Sequence, residues 1–211
     1  LKEFFVKLYD VEESHDVLSQ ILWIAWARRR KGAEELLHGL LEQSERAKAC
    51  MLRYFQKDTV NEYYNIVKPV AEWCANSENE EVGNMFDYLI RDLEDLPWEK
   101  VVEIIDIITS GKVLRYASHN YLEFMQERAA DHPYDVLRWM CLYSKSEHND
   151  ESNYFTASKT MSIMVAAYNA IRKYDKNDEK LETALNTMDF LMEKENVRKG
   201  LRHFLYELDN R

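Results

Sequence analysis

Apolar residues recur along this chain at the i, i+3, i+4, i+7 spacing that marks one buried face of a helix. Near the C-terminus, Leu181, Ala184, Leu185, Met188, Leu191 and Met192 make one stripe, and Val197, Leu201, Phe204, Leu205 and Leu208 make the next. Met161, Met164, Val165, Tyr168 and Ile171 predict a helix over 155–174, preceded by one that starts at Pro133 and carries Val136, Leu137, Met140 and Tyr143. Upstream stripes run through Val101 to Ile108, Leu114 to Met125, Val82 to Leu93 and Val60 to Cys74, the last with Pro69 inside it. A proline there removes a backbone donor and is expected to kink the helix. In the N-terminal quarter, residues 12–30 predict a helix through Val17, Ile21, Leu22, Trp23 and Trp26. Residues 33–56 predict one long helix through Leu37, Leu40, Ala47, Cys50, Met51 and Tyr54, weakened by Gly39. The count is about eleven helices.

Two helix starts rhyme. Pro97-Trp98-Glu99-Lys100-Val101-Val102 is echoed 36 residues later by Pro133-Tyr134-Asp135-Val136-Leu137. Proline at the first helical position wastes no hydrogen bond, and a period near 36 fits one helix-turn-helix unit per repeat. Helix pairs are expected to start near 60, 97, 133 and 178, and short connections make neighbours pack antiparallel. The expected fold is all-α, an α-solenoid of stacked antiparallel helix pairs. Irregular helices over 1–57 lead into a repeat array over 58–211, packed continuously as one domain. Only the polar, acidic stretch 146–153 breaks the rhythm, as a tolerated surface loop or as a rim insertion used for recognition.

Composition supports this reading. Five glycines and three prolines are too few to punctuate many strands, while 46% hydrophobic and 31% charged residues exclude a disordered chain. The net charge of −10 repels phosphate backbones, so nucleic acid is not an expected partner. The one basic cluster, Arg28-Arg29-Arg30-Lys31, ends a predicted helix and complements its dipole; a phosphate or acidic-partner site is the alternative. Cys50, Cys74 and Cys141 form no CxxC pair and read as small buried hydrophobes of a reducing compartment. No apolar run is long enough to span a bilayer and no signal peptide is seen, so the expected location is cytoplasmic. Leu1 in place of methionine reads as a piece of a longer protein.

Candidate chemistry is sparse. Glu12 with His15, and Glu35 with His38, are two Glu-x-x-His pairs of the kind that place a carboxylate and an imidazole on one helix face, as in di-iron bundles. They supply the alternative of a helical-bundle metal-binding enzyme. No HExxH, GxSxG or glycine-rich phosphate loop occurs, so neither enzyme activity nor a cofactor is expected. Trp23, Trp26, Trp73 and Trp139 lie on or near apolar faces and read first as core or rim packing, but partner recognition by helical arrays uses aromatic and arginine side chains, which makes Arg115, Tyr116, Arg138 and Trp139 candidates. His148, Asp150 and Glu151 join them from the 146–153 stretch.

The helix pairs, the period and Pro69 resemble HEAT-, armadillo- or tetratricopeptide-like arrays over residues 58–211, although the tetratricopeptide Trp-Leu-Gly-Tyr pattern is absent. Pro133-Tyr134-Asp135-Val136-Leu137-Arg138-Trp139, with Tyr168-Asn169-Ala170-Ile171-Arg172 and Gly200-Leu201-Arg202, is similar in style to the helical tails of bacterial STAND-type NTPases, including antiphage-defence proteins. That resemblance implies a sensor or scaffold region of a larger cytoplasmic protein, binding a protein partner or other domains of its own parent. A structural segment for oligomerisation is a further alternative.

Overall fold

The computed structural model describes residues 15–55, 57–116, 118–145, 154–176, 178–193 and 198. It is all-α. The described residues hold eleven α-helices and no strand: α1 (His15–Ala27), α2 (Ala33–Gln43), α3 (Glu45–Arg53), α4 (Lys57–Glu62), α5 (Tyr64–Cys74), α6 (Glu80–Arg91), α7 (Trp98–Ser110), α8 (Ser118–Arg128), α9 (Pro133–Lys145), α10 (Tyr154–Tyr174) and α11 (Glu179–Glu193). A 3-10 turn, Lys112–Arg115, precedes α8. None of these helices is long and apolar enough to cross a membrane.

Two expected helices are interrupted. The stretch expected as one helix over 33–56 breaks at Ser44, whose extended backbone ends α2 and whose hydroxyl accepts from the Ala47 amide at 3.1 Å to cap α3. Serine offers the backbone that alternative, and Gly39 stays within α2. The stretch 60–74 breaks at Tyr63, so Pro69 lies inside α5 and the interruption falls upstream of it. Pro97 and Pro133 both mark helix starts, the first as the cap of α7 and the second as the opening residue of α9.

The chain divides into two compact units, Leu1–Asn120 and Tyr121–Arg211. The boundary between them falls within α8; in the first unit α2 and α3 pack against α5, and α3 packs closely on α6. In the first unit α5 packs chiefly on α2, α3 and α7 rather than on its sequence neighbour α6. The expected pairing of the helix near 60 with the one that follows it is therefore not the packing seen. Leu22, Leu37, Leu40, Met51, Val67, Phe86 and Ile104 make up much of the core of this unit. Burial also pushes the Cys74 thiol far above its ordinary value.

Two close approaches lock the unit's far end. Gly83 lets Tyr116 lie against α6, since a Cβ there would sit 2.3 Å from the Tyr116 Cβ. Gly111 passes Ala75 at similar range, and the Val113 amide donates to the Ala75 carbonyl at 3.0 Å.

In the second unit α9, α10 and α11 pack on one another around Trp139, Met140, Met164, Ile171 and Ala184. Tyr121 and Tyr143 stack at 5.6 Å, and burial pushes the Tyr143 phenol up to about 12. The stretch 146–153 and, apart from residue 198, the helix expected over Val197 to Leu208 lie outside the described residues.

Candidate functional site

The basic run sits in a tightly defined turn. Beyond the end of α1 the Arg30 amide donates to the Ala25 carbonyl at 2.9 Å, and the Arg29 amide to that of Trp26 at 2.7 Å. This paired pattern is a Schellman cap, which requires one residue in the left-handed region and usually takes glycine there. Here that residue is Arg29, with φ 55, at a cost of about 1–2 kcal/mol for a side chain with a Cβ. Gly32, with φ 80, then opens α2 without any side-chain cap.

Arg28, Arg29, Arg30 and Lys31 are all exposed and form no ion pair among the described residues. Elsewhere in the unit cations find carboxylates readily: Arg46 with Asp16, Lys48 with Glu45, Arg53 with Glu81, Lys68 with Glu103 and Lys112 with Glu78.

Three of the four cations, Arg29, Arg30 and Lys31, edge a groove of about 730 Å³. Its wall is a tier of rings. Trp26 stacks on Trp73 at 5.6 Å with 21° between planes, and His38 stacks on Trp73 at 4.4 Å with 29°. Helical spacing places these rings: Trp26 lies in the last turn of α1, His38 about one turn and a half into α2, and Trp73 in the last turn of α5. Glu34, Glu35 and Glu62 line the same groove, yet none pairs with its cations. Glu62 instead accepts from the neighbouring Tyr63 phenol, and that bond, with burial, raises the phenol above its ordinary value.

The second unit has a groove of its own, of about 510 Å³, between α9 and α11. Tyr134, Leu137, Cys141 and Leu142 give it an apolar floor, and Arg138, Lys145 and Lys180 a cationic rim. The Lys180 ammonium lies 4.4 Å over the Tyr134 ring, and Arg138 reaches Asp135 at 3.8 Å. The Tyr134 phenol is held up by its bond to the Asp178 carboxylate.

The residues singled out from the sequence do not gather at one place. Arg115 and Tyr116 belong to the first unit, where the Arg115 guanidinium covers the Tyr116 ring at 5.6 Å and the Tyr116 hydroxyl donates to the Glu78 carbonyl at 2.9 Å. Arg138 edges the second groove. Trp139 has to be corrected: it is 0% exposed, a core residue of α9, and presents nothing to a partner. His148, Asp150 and Glu151 lie outside the described residues, as does Glu12. His15 contacts the Ser44 hydroxyl at 2.8 Å, whereas His38 is committed to Trp73 and to Glu42 at 3.5 Å. No group of three His, Cys, Asp or Glu side chains among the described residues could hold a metal ion.

Neither the ring tier nor the α9–α11 groove was singled out from the sequence. Trp26 and Trp73 lie too far apart in the chain for periodicity to join them. The one available signal was the proximity of Trp26 to the basic run. No protein-family model matches the chain, and no curated protein or solved structure matches it.

Proposed function

We propose that this chain is a non-catalytic helical module that binds a protein partner, as a sensor or scaffold region of a larger protein. The partner segment is amphipathic and acidic, and it seats in the groove between α9 and α11. Exposure of Leu142 carries this reading: it is 49% exposed among Leu137, Cys141 and Tyr134, with Arg138, Lys145 and Lys180 around it. An apolar strip flanked by cations complements a helix whose apolar face is bordered by Asp and Glu. Apolar anchors supply affinity, and complementary charge supplies register and encounter rate.

Selection of displayed peptides against the whole chain tests this. Enriched sequences should carry apolar residues three and four apart with acidic flanks. Their binding should be abolished by Leu142→Glu and weakened by Lys180→Glu, with the melting temperature unchanged. Enrichment that is indifferent to both substitutions would refute the groove as the docking surface.

A further inference from the structure

We infer that the groove formed by the α1–α2 turn, α2 and α5 is a nucleotide-binding site, in which a planar base lies on the Trp26–Trp73–His38 tier and phosphate is taken by Arg29, Arg30 and Lys31. This site lies in the first unit and is independent of the proposed partner groove.

The basic residues point to an anion. In a chain with 38 acidic residues, these adjacent cations remain without an ion-pair partner among the described residues. They are held in place by the Schellman turn, one of them at a backbone conformation that glycine would adopt more easily. Strain retained at one charged residue in a cleft is the pattern of a functional position. At the start of α2 the Ala33 amide donates to the Arg30 carbonyl at 3.2 Å, and Gly32 offers the amides that follow no side-chain cap.

The ring geometry points to a flat ligand. Interplanar angles of 21° and 29° make a tier that a further planar ring can extend. A site for a quaternary ammonium boxes its cation between rings set at steep angles, which this is not.

The carboxylates narrow the class further. Glu34 and Glu35, in the first turn of α2, and Glu62 line the groove together with the cations and form no ion pair with them among the described residues. A nucleotide has the matching polarity: anionic at its phosphate, with hydroxyl and amino donors on sugar and base for carboxylates to accept. A nucleic-acid strand, with phosphate at every step, would set charge against those carboxylates. A volume of about 730 Å³ is of the size that small-ligand sites occupy.

The test titrates the whole chain with each of the four common nucleoside diphosphates, with the matching nucleosides, and with inorganic pyrophosphate. Tryptophan fluorescence and calorimetry are the readouts. At least one diphosphate should quench the tryptophan emission and saturate, and should bind at least about tenfold tighter than either its nucleoside or pyrophosphate. Arg30→Glu should weaken that binding by about tenfold or more. Arg29→Gly is the decisive variant, because glycine suits the left-handed position: its melting temperature should hold or rise while nucleotide affinity falls.

Three results would overturn the inference. These are no saturation by any diphosphate at about 1 mM, pyrophosphate binding as tightly as the nucleotide, or nucleotide affinity unchanged in both Arg29→Gly and Arg30→Glu.

Discussion

Arg46 grips Asp16 through two parallel hydrogen bonds, Nε to Oδ1 at 3.1 Å and Nη2 to Oδ2 at 3.0 Å, and so ties α3 to α1. The pair is open to water, 52% and 37% exposed, so its fork geometry is offset by screening. A double-mutant cycle with Arg46→Ala and Asp16→Ala should give a coupling of about 0.5–1 kcal/mol that shrinks at high salt. Arg46→Lys should lose most of it, because an ammonium cannot reproduce the fork.

The cap at Ser44 is expected to be worth more. Its oxygen accepts from the Ala47 amide and meets His15 at 2.8 Å, in a buried setting. Ser44→Ala should cost about 1 kcal/mol and lower the melting temperature by about 2–4 °C in calorimetry. Ser44→Gly should fall between the two, since glycine tolerates the cap conformation.

Gly83→Ala should destabilise the first unit even though alanine is the better helix former. The new Cβ would collide with the Tyr116 Cβ at 2.3 Å and Cδ2 at 2.8 Å. Tyr116 cannot swing aside without breaking its bond to the Glu78 carbonyl. Overpacking of this kind costs about 1–3 kcal/mol, against a propensity gain of about 1 kcal/mol. A lower urea midpoint with an unchanged slope would report it.

Glu103 provides a pH signature. The Lys68 ammonium at 2.8 Å and the Tyr64 hydroxyl at 2.7 Å hold its carboxyl below the ordinary value of 4.5. The native state therefore releases this proton more readily than the unfolded chain does. The resulting stability is fully present above pH 4.5 and is lost as pH falls through the lowered native value. Glu103→Gln should be less stable than the parent near neutrality, and the two urea midpoints should converge in strong acid.

Much of the helical layout was legible because each stripe of apolar residues is a local signal. The helix expected over 155–174 is observed as Tyr154–Tyr174, and both rhyming prolines stand at helix starts. At Ser44 the stripe continues in phase from Leu40 to Ala47, so periodicity alone runs straight through a break that only capping chemistry marks. Trp139 was readable as core, since it lies three residues after Val136 and four before Tyr143, on the buried face of α9. The ring tier and the division within α8 depend on contacts between distant helices, which local spacing does not encode.

The bond from the Val113 amide to the Ala75 carbonyl joins backbone segments that the chain separates by two whole helices, α6 and α7. Gly111 seals the same spot by leaving no room for a side chain beside Ala75. This amide can meet deuterium only when the end of α5 and the 3-10 turn part. Its exchange rate is thus a clock for the opening of the first unit, while amides at the ends of α6 and α7 report only local fraying.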